Sequence, residues 1–483
     1  MLCAWAIVKG KGSVTSNILA QSTASRRIAS SCRRCLKTKF LARQALVSIN
    51  WTAPVQHPGI PPLRATVQKP PSKGPAHGIH LAKGVVPPIL RCQERVLTIM
   101  LSWVHFGDLH VTSDDGYESA AHLERLVNVV NEKVAHAVDF AYLPGDNANN
   151  GTPEQYARIR AALSDLRLPT HAIPGDHDFE PGTLTAFQAF HRELKTPALP
   201  RMIQVHGHRC LFLDVVSAGK GGPNFRLGRD QTEWLDEQMQ AASGDPERPV
   251  VFMHAYPGDF AEGGEALARS FSNAHVAVVD TGHTHYNELL NDGSVIYAAT
   301  RSTGQIEEDE GQTGFALVTV DGSIVSWRFQ RLEDNWPMVM ITTPADKRLV
   351  TDPRDPRQVP MHECIVRAKV FGVSVSALAG DVVASIDGHS VAMQPVTGER
   401  AVWQAVLPVP VDVDVEGYTL TVTAVGSDGE AASDVLQVVT ALGASKRSLL
   451  DAPLGTDAHT IGEWCEHGLL GSQLGPNKNG RAW

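Results

Sequence analysis

Residues 103–110 read WVHFGDLH, a short β-forming run that meets a glycine, then an aspartate and a histidine. The run reads as a buried strand that breaks at Gly107 and hands Asp108 and His110 to the following loop. The same arrangement recurs along the chain. FAYLPGDN (140–147) delivers Asp146, and THAIPGDHD (170–178) delivers Asp176, His177 and Asp178. VVFMHA (250–255) brings His254, and VVDTGHTH (278–285) brings His283 and His285. A single Asp-x-His is common by chance, and one histidine after a strand is usually a satisfied core residue. Repeated in order at strand ends, these groups fall on the edge of an α/β sheet where ligands gather.

Converging carboxylates repel one another, and burial sharpens the repulsion. Divalent cations remove the conflict, and mixed aspartate and histidine ligation suits manganese, iron, zinc or similar ions. Asp108, His110, Asp146, Asp176, His254, His283 and His285 are therefore the expected metal ligands.

Outward from these segments, residues 100–332 alternate apolar runs with helical patterns, as in a layered α/β domain. Strands are expected at 103–107, 138–144, 170–174, 210–216, 249–254, 276–281 and 294–299, with a hairpin over 314–329 turned at Asp321-Gly322. Helices are expected over 118–137, with Leu123, Leu126, Val127, Val130 and Val134 on one face, and over 228–241. Past a linker near Glu333–Pro337, residues 338–441 lose the helical period and show short alternating strands. That spacing predicts an all-β, immunoglobulin-like sandwich with Trp403 as its buried aromatic; Cys364 has no partner for an inter-sheet disulfide. Residues 442–483 read as an irregular tail.

The 483-residue chain carries a formal net charge of −9, which argues against a general nucleic-acid surface. No apolar run approaches the roughly eighteen residues that a membrane span needs. The charge is uneven. Residues 1–99 hold 15 Lys/Arg and one acidic residue, Glu94, so this leader is +14 and the remainder −23. An over-extended start, with the native one at Met100, is the first expectation for the leader; an organellar transit segment and a disordered basic arm are the alternatives. Outside the leader Cys210, Cys364 and Cys465 are widely spaced and suggest no disulfide framework, which points to a reducing, cytoplasmic location.

With the five segments in this order, residues 103–330 resemble the calcineurin-like metallophosphoesterase superfamily. GRDQTEWLDEQM (228–239) followed by RPVVFMHAYP (248–257) is similar to the layout of bacterial cyclic-nucleotide phosphodiesterases. The resemblance implies a four-layer α/β/β/α sandwich and two divalent metal ions. It implies Asp108, His110 and His285 on the first metal, Asp176, His254 and His283 on the second, and Asp146 bridging both. It further implies attack on phosphorus by a metal-bridging hydroxide. His177 would stabilise or protonate the leaving oxygen, and Asp178 would fix its tautomer. Arg301 is expected to reach a substrate phosphate. The chain departs from the family at GDHD (175–178), where asparagine is usual in place of Asp176. The expected function is hydrolysis of small-molecule phosphodiesters, with cyclic nucleotides first. The alternatives are a phosphomonoesterase (nucleotidase or protein phosphatase) and a binding protein with a vestigial metal site. A homo-oligomer is compatible with either.

Overall fold

In this computed structural model the described residues are 99–220, 224–306, 311–372, 382–409, 417–426 and 429–440. All belong to one compact unit, Arg91–Trp483. The leader up to residue 98 and the tail from 442 lie outside the described residues.

The run at WVHFG forms β1 (Leu101–His105), every residue of it buried. α1 (Ser119–Val129) follows and runs on through a π-turn over Val130–Val134. Then come β2 (Phe140–Leu143), α2 (Pro153–Leu163), β3 (Thr170–Ala172), α3 (Thr185–Glu193), β4 (Arg201–Val205) and β5 (His208–Phe212). After these come α4 (Arg229–Ala242), β6 (Val250–Phe252), α5 (Gly264–Asn273), β7 (Val278–Thr281), β8 (Glu288–Asn291) and β9 (Ile296–Ala299). The hairpin of β10 (Gly314–Asp321) and β11 (Ile324–Arg331) closes the α/β part.

Two sheets result. One runs β11-β10-β1-β2-β3 and the other β4-β5-β6-β7-β9-β8. β1, β2 and β3 are mutually parallel, as are β5, β6, β7 and β9. Side chains alternate across each strand. Leu101 and Trp103 of β1 therefore share an inter-sheet core with Phe212, Phe252 and Val278. Val104 and Phe106 instead join the core formed with residues of the helices, such as Leu123, Ile159, Leu235 and Phe271. Phe212 and Phe252 stack at 4.5 Å between ring centres. Truncating either to alanine would cost about 3–5 kcal/mol.

Five elements of the α/β part escaped the sequence reading: α2, α3, α5, β4 and β8. α2 carried a signal that could have found it. Thr152 accepts from the Gln155 backbone N–H, Gln155 answers with its side chain, and Pro153 occupies the first turn.

Beyond the linker lie β12 (Met338–Thr343), β13 (Glu363–Phe371), β14 (Val383–Ile386), β15 (His389–Ala392), β16 (Gln394–Pro395), β17 (Val402–Pro408), β18 (Gly417–Val425) and β19 (Ala431–Val439). They make two four-stranded sheets, β12-β13-β17-β16 and β15-β14-β18-β19. Val366, Trp403, Leu407 and Leu420 pack in one core within this region.

The all-β region meets the α/β part at the strands' N-terminal ends. Lys369 Nζ donates to Ser102 Oγ at 2.8 Å, and Gly372 N donates to the Lys133 carbonyl at 2.9 Å. Arg367 bonds Asp321 at 2.8 Å, and Arg400 bonds Asp139. Ser102 opens β1 and Asp139 precedes β2, so these contacts lie at the opposite end of the strands from Asp108 and Asp146. Among the described residues no helix is long and apolar enough to cross a membrane.

Candidate metal centre

Each expected ligand sits just past the C-terminal end of a parallel strand. Asp108 follows β1, Asp146 follows β2, Asp176 follows β3, His254 follows β6, and His283 and His285 follow β7. The fold brings all seven expected ligands into two groups that share Asp146. Asp108, His110, Asp146 and His285 form one; Asp146, Asp176, His254 and His283 form the other. Within each group the nearest ligand atoms lie within 4.8 Å of one another.

In the first group His110 Nε2 is 2.8 Å from His285 Nε2 and 3.6 Å from Asp146 Oδ2. In the second, His254 Nε2 is 3.3 Å from Asp176 Oδ1 and 3.5 Å from Asp146 Oδ2. His283 Nδ1 is 3.5 Å from Asp176 Oδ1. His254 Nδ1 donates to the Pro144 carbonyl at 2.8 Å, which turns Nε2 toward the carboxylates.

The electrostatics ask for positive charge. Burial pushes Asp108 up to about 7, with His254 opposing and Asp146 adding to the rise. Its Oδ1 is buried without a hydrogen-bond partner. Burial pushes His110 down to about 4, against the pull of Asp146. Burial also opposes ionisation of Asp146, yet His254 outweighs it and holds that carboxyl well below the usual range. Burial likewise disfavours a charged His254, but Asp146 and Asp176 raise it well above an ordinary histidine. The carboxylates that favour charge on His254 would favour a cation in the same place. The residues fit divalent ions.

Residues 101–287 match the family described as calcineurin-like phosphoesterase. The chain carries a calcineurin-like phosphoesterase domain. It is similar to a probable cyclic nucleotide phosphodiesterase of Synechococcus, 25% identical over 247 residues, which is 48% of this chain and 91% of that protein. It is also similar to the 3',5'-cyclic adenosine monophosphate phosphodiesterase CpdA of Escherichia coli, 28% identical over 123 residues, 25% of this chain and 42% of that protein. Among solved structures, a purple acid phosphatase from yellow lupin seeds aligns with a TM-score of 0.38 and 14% identity, over 50% of this chain and 52% of that one.

The phosphoesterase domain holds its site under backbone strain. His110, Asp146, His283 and His285 have φ of 45°, 48°, 68° and 64°, the left-handed region that costs a non-glycine residue of order 1 kcal/mol or more. Two glycines permit close approach of the loops. A Cβ at Gly175 would come 2.2 Å from Asp146 Oδ1, and one at Gly282 would come 2.1 Å from Asp108 Oδ1.

His177 stands beside the ligands, with its ring 4.6 Å from that of His110. Its Nδ1 lies 2.9 Å from the Asn149 carbonyl and 3.2 Å from Glu180 Oε1. Burial lowers its proton affinity, but Asp146, the Asn149 carbonyl, Asp176 and Glu180 together raise it. The groups that orient His177 are thus Asn149 and Glu180, both missed in the sequence; Glu180 was legible as the i+3 neighbour.

The expectation for Asp178 is corrected. Its buried carboxylate accepts the backbone N–H groups of Asn147, Ala148 and Gly175 at 2.9–3.2 Å and the Tyr156 hydroxyl at 2.5 Å. It laces two ligand loops together rather than holding His177. Arg301 also departs from its expected place. It is 1% exposed, its guanidinium lies over the Phe329 ring at 4.3 Å, and its Nη1 donates to the Gln312 carbonyl at 3.1 Å. Both contacts lie in the interior of the domain.

Proposed function

We propose that the chain hydrolyses small-molecule phosphodiesters with the help of two divalent cations, and that cyclic nucleotides are the first substrates to test. The observation that carries this reading is the pair of aspartate and histidine groups joined at Asp146. When bound, the cations would supply an activated water and positive charge against the phosphate. Asp108, His110 and His285 would hold one cation, Asp176, His254 and His283 would hold the other, and Asp146 would serve both. The Pro144 carbonyl keeps the His254 Nε2 lone pair directed at its cation. His177 donates its Nδ1–H to the Asn149 carbonyl beside Glu180, and as the imidazolium it would carry a second proton on Nε2 for the leaving oxygen. The two relatives with cyclic-nucleotide names support the diester class.

We further read the paired four-stranded sheets as an immunoglobulin-like sandwich. The free Cys210 and Cys364 support a cytoplasmic setting.

The test is to strip the full chain of metal and reconstitute it with manganese, zinc or iron. Turnover is then compared on bis(p-nitrophenyl) phosphate, p-nitrophenyl phosphate and cyclic AMP. Metal-dependent turnover that favours the diesters supports the proposal. Preference for p-nitrophenyl phosphate makes the protein a monoesterase, and absence of both metal uptake and turnover leaves a binding protein.

A further inference from the structure

An aspartate lies in the apolar core between the two α/β sheets, apart from the metal groups. Asp280 of β7 is fully buried in a region filled by Trp103, Tyr142 and Phe252. It accepts from Trp103 Nε1 at 2.7 Å and meets His105 Nδ1 at 2.9 Å, both residues of β1. The Tyr142 hydroxyl of β2 donates to its carbonyl at 3.3 Å. β1 and β7 belong to different sheets, so Asp280 ties one sheet to the other. His105 Nε2 is buried with no hydrogen-bond partner, so a proton on Nδ1, aimed at Asp280, is the one this ring can use.

A carboxylate in such a core is expensive, and a wholly apolar cluster of similar volume often serves stability as well or better. Its position suggests what offsets the cost. Asp280 stands three residues before His283, and His105 three before Asp108, which is about 10 Å along an extended strand. The loops beyond interlock. His283 N donates to Asp108 Oδ2 at 2.7 Å, the Gly282 backbone closes on Asp108 Oδ1, and His285 Nε2 lies 3.6 Å from Asp108 Oδ2. Any slide of β7 against β1 changes all three separations.

We propose that Asp280 is a positioning residue for the metal centre: it clamps β7 to β1 through His105 and Trp103, so that Asp108, His283 and His285 keep the spacing two cations need. The proposal rests on the two-metal reading above. It makes Asp280 important for affinity toward the metal beyond whatever it contributes to folding.

The full chain carrying Asp280→Leu, stripped of metal, is titrated with manganese or zinc in a calorimeter, and its metal-free melting temperature is measured alongside. The melting temperature is expected to fall, because Trp103 Nε1 and His105 Nδ1 lose their acceptor, while the affinity of the protein that remains folded falls tenfold or more and turnover recovers as metal is raised. Asp280→Asn, which keeps one acceptor oxygen, should fall in between. If Asp280→Leu does not fold, His105→Phe removes half of the bridge and is read in the same way. Affinity unchanged within twofold in the folded variant, or reduced only in step with loss of folded protein, overturns the proposal. A wild-type chain that takes up no metal sinks the two-metal reading and the clamp with it, so the two failures are told apart.

Discussion

His110 Nε2 and His285 Nε2 face each other at 2.8 Å across the first ligand group. In the protein alone one of the two rings donates to the other, and a divalent cation between the ligands would replace that proton and use both lone pairs. Metal should therefore stabilise the fold. At a hundredfold excess over the dissociation constant the gain is about 2.7 kcal/mol. Scanning calorimetry with manganese or zinc should show a higher melting temperature, and a chelator should reverse it. A transition indifferent to both would mean that the groups do not hold metal.

Asp146 belongs to both ligand groups, whereas His177 is beside them without joining either. Asp146→Ala should abolish turnover together with bound metal. His177→Ala should keep both metals and slow turnover by about 10²–10⁴-fold, the usual worth of a general acid. Elemental analysis of the two proteins separates the roles. A His177→Ala protein that had lost its metal would show that the histidine is a ligand after all.

The candidate ligand groups are legible because each member follows an apolar run that reads as a buried strand, and the breaks at Gly107, Gly145 and Gly282 mark where the strands stop. The geometry was less legible. His110, Asp146, His283 and His285 take left-handed backbone angles that no residue type announces. Asp178 looked like a partner for its neighbour His177, yet three of its hydrogen-bond donors are backbone amides, which leave no trace in composition. Asp280 sits inside the run VVDT and reads as an interruption of a strand. Only the stacking of two sheets brings Trp103 and His105 to it. Arg301 was read from its loop position, but the direction of its side chain follows from Phe329, 28 residues away in sequence.

Lys369 joins the all-β region to the α/β part from a buried position. Burial pushes its pKa down to about 8, with Asp139 opposing the fall, against about 10.4 in an unfolded chain. Between those values the unfolded state binds more protons than the folded one, so stability gains with rising pH at this site. The cost of burying the charge is fully felt below pH 8 and is relieved as pH approaches 10.4. Relative to Lys369→Met, the wild-type protein should gain up to roughly 3 kcal/mol across that window. Urea unfolding of both proteins at pH 7.5, 9 and 10.4 measures the gap. A gap that stays flat would mean that Lys369 ionises as it does in water.

Asp176 is the candidate ligand at which the sequence departs from the pattern it resembles, and its charge bears on substrate choice. Two divalent cations with Asp108, Asp146 and Asp176 sum to +1, and an asparagine in place of Asp176 would make the sum +2. At an effective dielectric near 20, one unit of charge at roughly 5 Å is worth about 3 kcal/mol before solvent screening. A dianionic monoester feels that unit about twice as strongly as a monoanionic diester. Asp176→Asn should therefore shift the ratio of kcat/KM values toward monoesters by tenfold or more. It should also loosen the second metal, because a neutral amide is a poorer ligand than a carboxylate. Both effects are read from bis(p-nitrophenyl) phosphate and p-nitrophenyl phosphate assayed on the two proteins at saturating metal, with a metal titration alongside. A ratio that stays put while the metal loosens would assign the preference to the shape of the pocket. A ratio that moves toward diesters would contradict the charge argument outright.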